Sequence, residues 1–364
     1  MNQNLLKGMF ILLVIVDHND FARSIIPGFL KGFAFHVMGF MMIPFLRPAG
    51  PLDRRFMQYL FRLYYPFLLI TTIMSVIVAF ITPVPALVQA GRWALALYSG
   101  NSDILKETTH MALLWFLPSF IALIVLRTCL ENVFLWLKIA GLLMAWFIHP
   151  FIGNMAPATQ DYLPLGLLPA LYVLPLAYLG IFVHRTYFQK LGTANALIQS
   201  ILLFVVVKAI QMHFGYTNEI GFAAVAGAND WPAMLCNDAE AVSGVLMLFQ
   251  ASRLQSGRLI ESFGQYSLQV YLLHAFIAFA VYRLTLAVSP LPVSVLLAFL
   301  LTLLATALLT LALAWAIMAL PGIRRFVFPH SWRDLIHRQP QAIVAATPVK
   351  SAGKADIIGG DNLQ

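Results

Sequence analysis

Residues 7–21 read KGMFILLVIVDHNDF, an apolar run that begins after a lysine and leads directly into four polar residues. The eleven residues from Lys7 to His18 cover roughly 16 Å of an α-helix. If this is a membrane helix with Lys7 at the headgroups, His18 lies near the bilayer midplane. An ionisable side chain at that depth costs roughly 2.5–3.5 kcal/mol, so it is a functional-site hypothesis by default.

The composition predicts a membrane protein. Hydrophobic residues make up 60% of the 364 residues, charged residues make up only 10%, and the mean hydropathy is +0.82. Because a soluble domain is roughly one quarter charged, this chain has too few charges to cover a water-facing surface. The net charge of +8 comes from short basic loops without interleaved aromatic residues, which argues against nucleic acid as a partner. The two cysteines have no metal-like spacing, and no metal site is predicted.

Ten apolar stretches are long enough to be membrane helices, since about 20 helical residues cross the ~30 Å hydrocarbon layer. They lie near 5–24, 27–46, 57–83, 111–128, 132–149, 163–183, 194–213, 232–250, 266–287 and 291–320. The predicted fold is therefore an all-α, polytopic helical membrane protein of about ten transmembrane helices. Between the third and fourth spans, residues 87–100 are amphipathic and are expected to lie at the interface or to dip back into the membrane.

The distribution of Lys and Arg predicts the orientation. If the N-terminus is cytoplasmic and each of the ten spans crosses the membrane, most basic residues fall in cytoplasmic segments. The loops near 150–162 and 214–231, on the opposite side, contain no Lys or Arg. This asymmetry follows the positive-inside rule and predicts that both termini are cytoplasmic. Residues 1–321 are expected to form the transmembrane domain. Residues 322–364 are expected to form a basic amphipathic segment on the membrane lipids, followed by a disordered tail.

Two histidines are the main catalytic candidates. His36, in GFAFHVMGF on the second span, lies near the predicted depth of His18, so the two rings are expected to face one cavity. The alternative for each is a packed structural histidine. Asp17 is also a catalytic candidate, but it points about 100° away from His18 on a helix and needs a second helix to complete the geometry.

Basic residues near the cytoplasmic end are candidates for binding a phosphate-rich ligand. Lys7, Arg54, Arg55 and Arg62 belong to this group, and guanidinium groups suit bidentate phosphate binding. Arg54 and Arg55 also fit the alternative role of topology anchors. Arg62 fits that role less well, because it falls inside the apolar pattern.

A third set of polar residues in apolar surroundings is expected to contact the substrate. Its members are His110, Trp115, Asp238, Tyr271 and His274. Asp238 and Glu240 lie two residues apart, so at most one of them is expected to face the cavity. Lys208 in the seventh span is the structural alternative, since it can form an ion pair with either carboxylate.

Five motifs, taken in order along the spans, resemble the acyltransferase-3 family. Within that family the sequence is most similar to the fucose 4-O-acetylase-like sugar O-acetyltransferases of bacterial surface polysaccharides. The position three residues before Arg62, where that family commonly has a second arginine, is Tyr59 here. The matching residues are Lys7 with His18; Phe35 with His36; Arg62, Leu63 and Pro66; Leu114 to Pro118; and Gly264, Ser267, Leu268, Val270 and Tyr271 to His274.

The resemblance implies a multi-pass enzyme of the bacterial plasma (inner) membrane that uses His18 as the catalytic histidine and Lys7 near the acyl donor. Acetyl-CoA or another acyl-CoA is the expected donor, with no permanently bound cofactor. The expected acceptor is a sugar hydroxyl on a surface or exopolysaccharide glycan or on its lipid-linked precursor, with polysaccharide biosynthesis machinery as a partner. The main alternative is a proton-coupled transporter or flippase, although the inverted repeats common in transporters are not evident. A third possibility is a catalytically inactive membrane scaffold.

Overall fold

The computed structural model describes residues 2–19, 21, 35–82, 84–153, 163–216, 231–254, 257–288 and 294–336. The regular elements in these ranges are helical, as the composition predicts. Short 3₁₀ turns at Ile43–Leu46, Ala112–Trp115, Pro164–Gly166 and Phe188–Lys190 join or extend them. The α-helices are α1 (Gln3–Asp17), α2 (Phe35–Met42), α3 (Arg54–Ile81), α4 (Ala86–Ser99), α5 (Ser102–Thr109), α6 (Phe116–Glu131), α7 (Leu135–Gly153), α8 (Leu167–Thr186), α9 (Thr193–Phe214), α10 (Trp231–Ala251), α11 (Arg258–Gln265), α12 (Ser267–Val288), α13 (Val295–Ala319), α14 (Pro321–Val327) and α15 (Trp332–Ile336).

Six helical segments in the described ranges are long and apolar enough to cross a membrane. They correspond to the third, fourth, sixth, seventh, ninth and tenth predicted spans. Shorter apolar helices, Phe35–Leu46 and Leu135–Phe147, lie within the second and fifth. The total of ten spans stays a prediction. The six segments are Arg54–Ile81, Ala112–Glu131, Pro164–Lys190, Thr193–Phe214, Ser267–Ala287 and Val295–Ala319.

The outer surface of these helices supports the membrane interpretation. Large apolar side chains on α3, α9 and α13 point away from the protein, for example Phe80 at 87%, Leu202 at 57% and Leu304 at 57% exposure. Exposed apolar area of this extent is unfavourable in water, whereas hydrocarbon accommodates it.

The first helix is shorter than predicted. α1 ends at Asp17, and His18 and Asn19 are not helical, so the first predicted span, near 5–24, is interrupted at these two residues. The reason is local hydrogen bonding. The ring Nδ1 of His18 contacts the carbonyl of Val14, the Asn19 amide donates to Thr302 on α13, and the Asn19 side-chain oxygen accepts from the backbone N–H of Phe21. Polar side chains that bind nearby backbone in this way end helices.

α1 is central to the bundle and packs most extensively against α11, and also against α2, α10, α12 and α13. Two glycines permit the close approach to α11. A Cβ atom on Gly8 would overlap the carbonyl of Ile260, and one on Gly264 would overlap the carbonyl of Asn4. Small residues at a helix crossing let the backbones meet in this way. The packing fixes the rotation of α1 and therefore the direction in which His18 points.

Several segments predicted to be cytoplasmic lie together at one end of the bundle, which we call the arginine end and define by Arg47, Arg127, Arg185 and Arg253. Arg127 donates to backbone carbonyls beside Arg47, Arg185 donates to the neighbouring carbonyls, and Arg253 binds the turn after α8. The opposite end contains α4 and α5, which pack on the far half of α3. Which end faces the cytoplasm stays a prediction.

The chain after α13 returns to the arginine end. α14 packs on α3, and the ring of Trp332 on α15 lies 4.3 Å from that of Phe61. Partial desolvation of the His330 ring, together with the nearby charge of Arg62, lowers the pKa of this imidazole. The predicted disordered tail, residues 345–364, lies outside the described residues.

Candidate active site

A cavity of about 480 Å³ opens at the arginine end, a volume within the ~300–1,000 Å³ of small-molecule sites. Lys7 on α1 and Arg47 after α2 contribute positive charge to its lining, and aromatic side chains form much of the interior. Its inner part reaches Val14 on α1 and Tyr271 on α12. The cavity therefore combines a cationic mouth with an apolar interior.

Arg127 holds the segment that carries Arg47. This side chain is only 7% exposed, and its guanidinium donates to the carbonyl of Pro44 at 2.8 Å and to that of Arg47. It also lies 4.7 Å from the centre of the Phe45 ring. From α8, Arg185 donates to the Phe45 carbonyl at 3.3 Å. Cations are favourable at the carbonyl-rich C-terminal end of a helix, so these two arginines stabilise the turn that ends at Arg47.

The other predicted donor-binding residues are distributed differently. Lys7 is half-buried and lines the cavity, whereas Arg54, Arg55 and Arg62 are exposed on α3 and are not among its lining residues. Tyr59 lines the cavity instead. The structure therefore brings only Lys7 of the predicted cationic group to the cavity. It adds Arg47 and Arg127, which the sequence analysis did not propose.

We call three histidines the histidine centre: His18 at the C-terminal end of α1, His36 on α2 and His274 on α12. The His18 ring Nδ1 lies 2.9 Å from the Val14 carbonyl, and the His274 ring Nδ1 lies 2.6 Å from the Tyr271 carbonyl. A carbonyl oxygen can only accept, so each Nδ1 carries a proton, and in the neutral ring each Nε2 has a lone pair. His18 therefore has the tautomer of a general base.

The two rings pack edge to face at a centroid distance of 5.0 Å. His274 is completely buried and close enough to both His18 and His36 to interact with them electrostatically. His36 on α2 is 2% exposed. The structure thus brings the two predicted histidines together through His274. The His36 side chain is less exposed than that of His18.

The histidine centre lies between two cavities. Val14 and Tyr271, at the inner part of the large cavity, are four and three residues from His18 and His274, which is one helical turn in each case. His18 itself lines a second cavity of about 130 Å³, together with Asn19 and residues of α12 and α13. His18 therefore lines the smaller cavity and lies one helical turn along the chain from Val14 of the large cavity.

The remaining predicted site residues lie in several places. Asp17 is half-buried at the end of α1, and the Tyr271 hydroxyl donates to the Leu113 carbonyl. His110 ends α5 with a left-handed backbone (φ 56°) and is exposed. Trp115 lines a small crevice at the end opposite the arginines. Of the five predicted substrate contacts, only Tyr271 and His274 are close to His18.

Asp238 belongs to a separate group of buried polar residues that we call the carboxylate cluster: Asp238, Glu240, Lys208, Gln211 and Asn237. The Tyr172 hydroxyl donates to Asp238 at 2.6 Å, and the Trp146 indole donates to its other oxygen at 3.0 Å. Glu240 forms an ion pair with Lys208 at 3.0 Å, and Gln211 donates to Asn237 at 3.0 Å. The proposed Lys208 pairing is confirmed, with Glu240 as the partner. That Asp238 also contacts a substrate stays a prediction.

The sequence contains signals for Arg47 and Arg127, the two arginines that the sequence analysis did not propose. Arg127 lies in the apolar run ALIVLRTCLE, where an ionisable residue is costly, and Arg47 directly follows the second apolar span. The positive-inside distribution places both in cytoplasmic segments. Only the fold shows that both line the cavity and that Arg127 also binds the backbone beside Arg47.

Comparison with known families agrees with the motifs. The family model described as Acyltransferase domain, that of acyltransferase 3, matches residues 3–319. A search of curated proteins and a search of solved structures gave no significant match. The matched region contains both cavities and the histidine centre. The chain therefore belongs to the acyltransferase-3 family of membrane acyltransferases.

Proposed function

We propose that this protein is an O-acetyltransferase of the bacterial inner membrane. It transfers an acetyl group from cytoplasmic acetyl-CoA to a sugar hydroxyl of a surface glycan or its lipid-linked precursor. The observation that carries the proposal is the geometry of His18. Its Nδ1–H donates to Val14, and its ring borders one cavity and lies one helical turn from the other. A base in this position can accept the proton of a hydroxyl that arrives from one side, while the acyl donor arrives from the other.

The large cavity suits an acyl-CoA. Lys7 and Arg47 provide charge for the phosphates, and phosphate recognition by Arg and Lys is a common use of these side chains. Aromatic and aliphatic walls suit the pantetheine arm and the acyl group. With the phosphates at Arg47, the thioester extends toward Val14 and Tyr271. Arg54, Arg55 and Arg62 are exposed at the same end and contribute a positive field that attracts the anionic donor.

In the transfer step His18 Nε2 removes the proton from the sugar hydroxyl, and the hydroxyl oxygen attacks the thioester carbonyl carbon. When the tetrahedral intermediate collapses, the carbon–sulfur bond breaks and the imidazolium returns its proton to the CoA sulfur. The products are the sugar ester and CoA. His274, whose ring packs edge to face with that of His18, orients the base, and His36 and the Asp17 carboxylate help to stabilise the imidazolium. Attack of His18 itself on the thioester, giving an acyl-histidine, is the competing mechanism.

The transporter alternative is not favoured. Membership of an acyltransferase family gives the buried histidines a chemical role, and Lys208 and Glu240, which would be candidates for a proton relay, form a closed ion pair. A catalytically inactive scaffold would have no use for an accessible ring nitrogen at His18.

The test is transfer of labelled acetyl from acetyl-CoA in membranes of a deletion strain that carries the full-length protein. Because general-base catalysis contributes about 10²–10⁴-fold, we expect His18→Ala to lower transfer by at least about 100-fold. The matched control is His213→Ala, an exposed histidine at the end of α9. Activity of His18→Ala equal to that of the control would remove the proposed base.

A further inference from the structure

The smaller cavity, lined by His18, has a chemical character of its own. It lies in the crevice between α1, α12 and α13, and its volume is about 130 Å³. On one side are Ala275 and Ala278, which leave space next to His274, and on the other are Thr302 and Thr306 of α13. This volume is below the ~300 Å³ of sites that enclose a whole ligand, so it suits one edge of a larger molecule.

Three hydrogen-bonding groups in this cavity have no hydrogen bond within the part of the chain that the structure describes. The His18 Nε2, the Tyr282 hydroxyl and the Thr306 hydroxyl make no hydrogen bond to any residue that the structure describes. By contrast, the Asn19 amide and the Thr302 hydroxyl are engaged. Asn19 donates to Thr302 at 2.9 Å, and Thr302 donates to the Ala298 carbonyl at 2.7 Å. The engaged pair fixes α1 against α13 and so fixes the spacing of the three unused groups.

The rim of the cavity is aromatic and borders the lipid-facing surface. The rings of Phe21 and Tyr282 lie 5.4 Å apart, and Phe279 is 67% exposed on the outer face of α12. Aromatic faces pack against the apolar faces of sugar rings, while hydroxyl groups bind the sugar edge. The exposed apolar rim is also favourable for the hydrocarbon chain of a membrane-anchored molecule.

We propose that this cavity is the acceptor subsite, in which Tyr282 and Thr306 hold hydroxyl groups of a saccharide while the neighbouring hydroxyl faces His18 Nε2. The inference rests on the proposed function, because it requires a hydroxyl acceptor. It adds the specificity-determining residues, Tyr282 and Thr306, on α12 and α13. The acceptor proton passes to Nε2 and the new ester bond forms at the acceptor oxygen, as in the transfer step above.

The experiment uses membranes from a deletion strain of the source organism, which carry the organism's own unmodified glycans. They are supplied with the full-length protein and labelled acetyl-CoA. Three quantities are measured: acetyl transferred to glycan, free acetate from hydrolysis, and the KM for acetyl-CoA. Because a site built to bind a hydroxyl group loses at least about tenfold when one partner is removed, we expect Tyr282→Phe and Thr306→Val each to lower transfer by about tenfold. The ratio of acetate to acetylated glycan should rise, and the KM for acetyl-CoA should not change.

The matched control is Thr310→Val, which removes a buried hydroxyl one turn further along α13 whose hydrogen bond to the Thr306 carbonyl stays within the helix. If Tyr282→Phe and Thr306→Val behave like this control, or if they raise the KM for acetyl-CoA, the acceptor subsite is overturned while the proposed function stands. If the wild-type protein transfers no acetyl at all, the proposed function fails as well. Solvent extraction of the labelled product separates a lipid-linked acceptor from a polymeric glycan.

Discussion

Two groups of polar residues lie inside this membrane protein, and they are built in opposite ways. In the carboxylate cluster, charges and amides bind one another: Lys208 pairs with Glu240, Gln211 binds Asn237, and both oxygens of Asp238 accept hydrogen bonds. In the histidine centre, His18 and His274 each use one ring nitrogen on a backbone carbonyl, and the His18 ring borders a cavity.

The difference separates structural from chemical roles. A buried polar network whose members satisfy one another fixes the packing of helices, here of α7, α8, α9 and α10. Burying an ionisable base with an unused lone pair beside a cavity costs free energy, and helix packing does not offset this cost. From this comparison we expect substitutions in the carboxylate cluster to affect stability and substitutions in the histidine centre to affect transfer.

The largest expected effect is the loss of Lys208. Lys208→Met leaves Glu240 buried without its cation, and breaking a buried pair on one side costs about 3–5 kcal/mol. The measurement is thermal unfolding of the protein in lipid nanodiscs. The matched control is Lys138→Met, which breaks the more exposed pair with Glu131 and should cost at most about 1 kcal/mol. Equal effects of the two substitutions would show that the buried pair does not hold α9 to α10.

A smaller effect, on transfer instead of stability, is expected for His274. Since it orients His18, His274→Asn should lower kcat by about 100-fold, which corresponds to about 2.7 kcal/mol, with an unchanged KM for acetyl-CoA. His184→Asn is the control, because His184 is also buried but binds Gln250 at the arginine end. If His274→Asn lowers both kcat and thermal stability, His274 acts through packing and does not orient His18.

The smallest effect is expected for Asp238. In Asp238→Asn, one donor, either Tyr172 or Trp146, faces an amide N–H₂ instead of an oxygen, and the unmatched group should cost about 1–2 kcal/mol of unfolding free energy. The KM for the acceptor tests the alternative role. No change in that KM supports a structural carboxylate, whereas an increase of about tenfold would support the predicted substrate contact.

The sequence allowed good predictions wherever a single residue or a run of residues carries the signal. The membrane class follows from composition, and six predicted spans correspond to helices that are long enough to cross. His18 was singled out because an imidazole in an apolar helix is costly. The end of α1 was harder to predict, because hydrogen bonds of His18 and Asn19, one of them to distant Thr302, stop the helix.

The choice among neighbouring candidates depended on the fold. Arg62 and Arg47 have similar signals in the sequence, yet only Arg47 lines the cavity. Likewise, Asp238 and Glu240 were equal candidates for Lys208, and the fold selects Glu240. For Arg47 the deciding variable is the path of the chain after α2, which Arg127 fixes, and for Asp238 and Glu240 it is the rotation of α10 about its own axis.

The sequence by itself determined that this chain lies in a membrane, that its helices carry costly polar groups, and that a histidine lies about eleven residues from a lysine on the first of them. Only the tertiary structure decided which of these groups meet. Helices such as α8 and α9 are apolar on nearly all sides, so their polarity pattern does not fix which face turns inward. Contacts such as those of Gly8 with α11 and of Arg127 with the Arg47 segment set those rotations. They thereby bring His18 beside His274, between the two cavities.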